Sequence, residues 1–130
     1  MGYVVLDTDV ASKLQRGAVP ADLRDYLDGK RIAVTFVSVG EFYKGAYQRG
    51  WGPKRITELE RWLRNVVVLP YDVGVSRKWG EISAIKGRPV PVNDAWIAAC
   101  CLRHDLPLAT LNRRHFEHIR GLVLVPESRE

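Results

Sequence analysis

Between Val90 and Asn112 the chain reads VPVNDAWIAACCLRHDLPLATLN, and this stretch restricts the possible folds more than any other. From Trp96 to Leu102 the residues are apolar apart from what Cys100 and Cys101 offer, so as a helix the run has no face for water. It must be buried on nearly all sides. Asn93 and Asp94 stand at its front, and Leu108-Ala109-Thr110-Leu111 follows as a short strand closed by Asn112. A buried helix opened by a carboxylate, next to a buried strand ended by a polar residue, places oxygen donors at the rim of a core. An acid pointing inward there needs compensation, and a divalent cation would supply it.

The rest of the chain repeats the alternation of short apolar runs with helical patterns. Residues 3–6, 32–37, 66–69 and 122–125 read as strands beside 108–111. Asp7-Thr8-Asp9 supplies caps for a helix over 10–15, and Pro20 opens another that ends at Leu27. Ser38-Val39-Gly40-Glu41 has the form of a capping box and predicts a helix to about Gln48. An amphipathic helix follows over 54–65, Asp72 caps one running to about Lys86, and residues 113–117 form one turn. Strands separated by helices predict an α/β fold, with a central, mainly parallel β-sheet flanked by helices in one domain spanning residues 1–130.

Composition narrows the function classes. No apolar run reaches membrane-spanning length, and the N-terminus reaches Asp7 with no basic leader before it, so a first strand is expected there and no membrane partner. Cys100 and Cys101 are adjacent in a helical run and project about 100° apart, which predicts reduced thiols and a cytoplasmic location. Twenty basic residues against fifteen acidic ones give a net charge of +5, which favours an anionic partner such as nucleic acid. Glycine-rich dinucleotide and phosphate loops are absent, as is a Gly-x-Ser-x-Gly nucleophile turn. His104, His115 and His118 lack the spacing of a metal site.

Three acids fall where a parallel sheet binds ligands, outside the carboxyl ends of its strands. Asp7 follows strand one, Glu41 lies early in the helix after strand two, and Asp94 starts the central helix; Asn112 follows strand four. Clustered carboxylates repel, so one must protonate unless a cation pairs them. Oxygen donors without His or Cys select a hard ion, Mg²⁺ or Mn²⁺. Such an ion activates water and neutralises charge on a phosphodiester, the chemistry of a metal-dependent nuclease. Each residue also has a plainer role: Asp7 or Asp9 as a helix cap, Glu41 in the capping box, Asp94 at a helix dipole, Asn112 in a turn.

The segments VVLDTDV (4–10), VSVGEFYKG (37–45), NDAWIAA (93–99) and LATLNRRHF (108–116) together resemble the four motifs of PIN domains, in particular VapC-type toxins of toxin–antitoxin pairs. The resemblance spans the chain in order. It implies a Mg²⁺- or Mn²⁺-dependent endoribonuclease with Asp7, Glu41 and Asp94 as the principal metal-site acids. Asn112 would be a further or water-mediated ligand, and Thr110 would contribute a hydroxyl beside it. It also implies a homodimer and a cognate VapB-type antitoxin whose C-terminal segment lies across the active-site groove. Two positions depart from the family pattern. Asp9 stands where the first motif commonly has Asn, adding a carboxylate that competes for the metal or caps the helix. His115 stands where the fourth motif often has Asp, which favours one metal ion over two.

The leading expectation is hydrolysis of an RNA phosphodiester by metal-activated water, with Arg113 and Arg114 contacting phosphate. A receiver-type phosphoacceptor fits poorly, because Pro70 ends strand three and Arg113, not Lys, follows strand four. A catalytically inert module binding RNA or protein is the alternative, with the neutral Asn112 in its favour.

Overall fold

The computed structural model describes residues 2–127. Among them, β1 (Tyr3–Leu6), β2 (Arg31–Thr35), β3 (Val67–Leu69), β4 (Leu108–Ala109) and β5 (Leu124–Val125) form one parallel sheet in the order β3-β2-β1-β4-β5. The helices are α1 (Thr8–Gln15), α2 (Ala21–Leu27), α3 (Phe36–Gln48), α4 (Pro53–Leu63), α5 (Val73–Ser83), α6 (Val92–His104) and α7 (Arg113–Phe116).

Side-chain alternation along the strands divides the core in two. Val5, Ala33, Leu69 and Leu108 face one side and pack with Val75 and Ile82 of α5, residues 97–101 of α6, and Phe116. Val4, Leu6, Val34 and Ala109 face the other and pack with Val10, Leu23, Phe42 and Leu59 from α1, α2, α3 and α4. Helices thus cover both faces, giving the three layers that the sequence pattern predicts. Residues Ile97 to Cys101 of α6 are at most 1% exposed. Trp96 stacks on Trp79 of α5 with ring centroids 4.9 Å apart, closing the contact between those helices. Burial raises the Cys100 thiol to about 12 and Cys101 well above its ordinary range, so neither forms a reactive thiolate.

The order of strand addition reverses at β1. The chain adds β2 and β3 on one side, then places β4 and β5 on the other. Beyond β1 and β4 lies the crevice where this topology binds ligands.

The second strand is shorter than expected and its helix starts earlier. Phe36 and Val37 have strand-favouring side chains, yet the buried Thr35 hydroxyl accepts from the Ser38 amide and caps α3. The capping box expected at Ser38–Glu41 is therefore displaced by Thr35, and Ser38 sits inside the helix with its hydroxyl released for other bonds. Phe36 and Val37 pack against one half of the core and Phe42 belongs to the other, so α3 crosses the end of β2 and carries Glu41 to the ligand-binding edge. The strands ending the chain are also shorter than expected, Leu108–Ala109 and Leu124–Val125, and α5 stops at Ser83.

Replacing Thr35 with Ala removes the cap of α3 and is expected to lower unfolding free energy by about 1–2 kcal/mol in urea titrations. An unchanged midpoint would show that α3 does not depend on this cap.

Candidate active site

The site begins where β1 stops. The Asp7 amide continues the β1–β4 ladder, donating to the Ala109 carbonyl at 3.2 Å. Its side chain then caps α1, with Oδ1 accepting from the Val10 amide at 2.9 Å. Its Oδ2 accepts from the Thr110 hydroxyl at 2.5 Å, directly across the switch point. Thr110 in turn accepts from the Asn112 amide at 2.9 Å. Only 4% of Asp7 is exposed. Burial, followed by the negative charges of Asp9 and Asp94, raises its pKa above the ordinary value of 3.8, while the Thr110 and Val10 hydrogen bonds oppose the rise. Among the described residues Asp7 forms no salt bridge, and the charges that raise its pKa are those of Asp9 and Asp94.

Asp9 is exposed and pairs with Lys13 one turn along α1, at 2.8 Å. Helix α1 is capped by Asp7 and not by Asp9. Asp94, in the first turn of α6, is bound through Oδ2 to His115 Nδ1 at 2.7 Å, which ties α6 to α7. Glu41 takes a different set of partners. The Thr8 hydroxyl donates to its Oε1 at 2.6 Å, and Asn93 Nδ2 donates to its Oε2 at 3.2 Å. Because the single Thr8 proton goes to Glu41, the Ser38 hydroxyl must donate to Thr8, 2.8 Å away. One run of hydrogen bonds therefore passes from Ser38 through Thr8 and Glu41 to Asn93, joining α3, α1 and α6.

The expected acids lie along one edge, but they do not converge as a tight cluster. Among the described residues, no group of three His, Cys, Asp or Glu side chains could hold a metal ion as placed. Each of the three carboxylates instead has a neutral donor or His115 as its partner. The donor chemistry nonetheless fits a hard divalent cation. It is oxygen-based, and Asp7 is buried among like charges that a cation would offset.

Asn112 is exposed just before α7, and its side chain makes no capping bond. Arg113 donates through Nη1 to the Pro126 carbonyl at 2.9 Å, fastening the C-terminal segment, whereas Arg114 is exposed. The sequence reading missed Thr8, Ser38, Asn93 and the His115–Asp94 pair as site residues. Thr8 and Asn93 adjoin acids already singled out, so adjacency was the available signal. The His115 contact, twenty-one positions from Asp94, has none.

Comparisons with known proteins agree with this architecture. The family model for the PIN domain matches residues 4–122. Ribonuclease VapC5 of Mycobacterium tuberculosis is 32% identical over 112 residues, covering 82% of this chain and 80% of its own. The tRNA(fMet)-specific endonuclease VapC of Shigella flexneri is 29% identical over 108 residues, covering 79% and 82% respectively. Among solved structures, DNA-bound VapBC from Salmonella typhimurium superposes with a TM-score of 0.80 at 27% identity, covering 95% of this chain and 97% of that one.

The raised pKa of Asp7 fixes a pH dependence. Its retained proton contributes stability that is fully present below the unfolded value of 3.8 and lost as pH rises through the higher folded value. Asp7→Asn cannot ionise, so in EDTA its stability relative to wild type should increase from about pH 4 to about pH 8 in urea melts. A constant difference across that range would contradict the burial of an ionising Asp7.

Proposed function

Because this chain belongs to the PIN-domain family, within its VapC branch, we propose that it is a metal-dependent endoribonuclease serving as the toxin of a toxin–antitoxin pair. The observation that carries the reading is the buried Asp7, hydrogen-bonded to Thr110 at the switch point, with Asp94 close enough to raise its pKa. The relatives named as ribonucleases support the reaction class.

Asp7, Glu41 and Asp94, with Asn112 contributing directly or through water, would hold Mg²⁺ or Mn²⁺. When bound, the ion would supply a Lewis acid and an activated water for attack on an RNA phosphodiester. The protein's own contribution is positional. Thr110 and the Val10 amide fix both oxygens of Asp7, His115 orients Asp94, and Thr8 with Asn93 orients Glu41. Exposed Arg114 is the phosphate contact, with Arg113 holding the segment beside it through Pro126. Asp9 acts from outside, through its charge on Asp7.

The solved relatives that are VapBC complexes support a VapB-type antitoxin as the protein partner. A homodimer and a cytoplasmic location complete the proposal. Among the described residues, no helix is long and apolar enough to cross a membrane.

Incubation with a mixed RNA pool tests the activity. Cleavage should require Mg²⁺ or Mn²⁺, stop in EDTA, and fall on the order of 100-fold in Asp94→Asn. Unchanged cleavage in that variant would remove Asp94 from the site, and no cleavage together with no Mn²⁺ binding would favour an inert binding module. His115→Ala should weaken Mn²⁺ binding by about 10-fold in calorimetric titration, because it frees Asp94 without removing a proposed ligand. Wild-type Mn²⁺ affinity in that variant would deny His115 a positioning role.

A further inference from the structure

A groove of about 640 Å³ runs between α1, α3 and α4, and Thr8 and Glu41 line it as well as belonging to the candidate active site. Anything bound along it therefore continues directly into the place where a scissile phosphate would lie. We propose that this groove is a subsite for single-stranded RNA, holding one unstacked base and its flanking phosphate beside the cut. The inference rests on the ribonuclease reading and adds to it the residues that bind the strand.

Charge is the first argument. Arg16, Lys44, Arg49 and Arg55 line the groove against the carboxylates of Glu41 and Glu58, leaving an excess of two positive charges. The Arg49 guanidinium folds back over Gly45, where an added Cβ would come within 2.7 Å of Nη1, so this cation lies along the groove wall. Such a surface favours a phosphate backbone.

A stacking platform is the second. The Arg55 guanidinium lies over the Trp51 ring at 4.2 Å from its centroid, and both residues line the groove. A planar guanidinium backed by an indole presents a flat face on which an RNA base can stack. The third argument is an unmet demand for acceptors. Gln15 Nε2 and Trp51 Nε1 are shielded from solvent and have no hydrogen-bond partner among the described residues, and both side chains line the groove. Buried donors left this way are costly, and a shift of the side chains around them on binding would let a base edge or ribose oxygen supply the acceptor they lack. A protein segment docking here would bring phosphate-like charge only through acidic side chains.

The test uses the full chain in EDTA with a fluorescein-labelled, mixed-sequence RNA of about 12 nucleotides, read by anisotropy. Arg16 and Arg55 are exposed, so their replacement leaves the core untouched. Arg55→Ala should raise Kd roughly 5- to 20-fold, with Arg55→Lys recovering only part of it because lysine keeps the charge and loses the plane. The Arg16→Ala/Arg55→Ala pair should also reduce the salt slope by about 1.4, near 0.7 per lost contact on a single strand. In Mg²⁺, the pair should raise KM and leave kcat unchanged. Wild-type Kd and salt slope in the pair would overturn the proposal. So would an oligoglutamate peptide that binds as tightly as the RNA and is weakened equally by Arg55→Ala, because the groove would then read charge alone. Failure of the ribonuclease reading looks different: the wild-type chain would cleave no RNA in Mg²⁺, whatever the groove variants bind.

Discussion

The hydrogen bond from Thr110 to Asp7 joins the two strands that face each other across the reversal of the sheet. It comes from residues 103 positions apart, so it forms only when β1 and β4 are already paired. The same carboxylate caps α1 and therefore fixes the angle at which that helix leaves the sheet. One side chain thus bridges the paired strands, caps the helix and fixes the position of a negative charge. Burying it opposes folding whenever it is ionised, because its charged neighbours are Asp9 and Asp94. In the proposed reading, a bound cation would offset that charge.

The other two acids reach the same edge by routes that depend on that frame. Helix α6 is so fully buried along residues 97–101 that its first turn can point only outward past the strand ends, which delivers Asn93 and Asp94 together. Thr35 starts α3 early and lets it cross the end of β2, which delivers Ser38 and Glu41. Hydrogen bonds among Ser38, Thr8, Glu41 and Asn93 then fasten α3, α1 and α6 to one another where the acids lie. Rigid elements bring the acids to one edge, and partners on neighbouring elements hold each one in place. The groove beyond Glu41 extends that edge into a cationic channel with an aromatic floor.

Much of this was legible in the sequence, for physical reasons. Apolar runs of strand length, separated by capped helical patterns, permit little besides a parallel sheet with helices on both faces, and Asp7, Glu41 and Asp94 stand out because each interrupts or opens such an element. Local capping was harder. Thr35 and Ser38 are both competent caps three residues apart and both are buried; the Thr35 hydroxyl takes the Ser38 amide, while the Ser38 hydroxyl is engaged by Thr8 from α1, which is a tertiary fact. His115 was read as a missing acid and as lacking the spacing of a metal ligand, whereas its contact with Asp94 depends on how α7 lies against α6. The convergence of the acids was overestimated for a related reason. Position along the chain places carboxylates at one edge, but the neutral donors that turn each one aside come from neighbouring elements.

The central claim is that Asp7 and Asp94 are ligands of one hard divalent cation. Anomalous diffraction from crystals grown with Mn²⁺ examines it most directly. The account predicts one peak at about 2.0–2.6 Å from carboxylate oxygens of both residues, with Glu41 turned toward it. Density for both side chains with no peak between them, or Mn²⁺ bound only elsewhere on the protein, would contradict it.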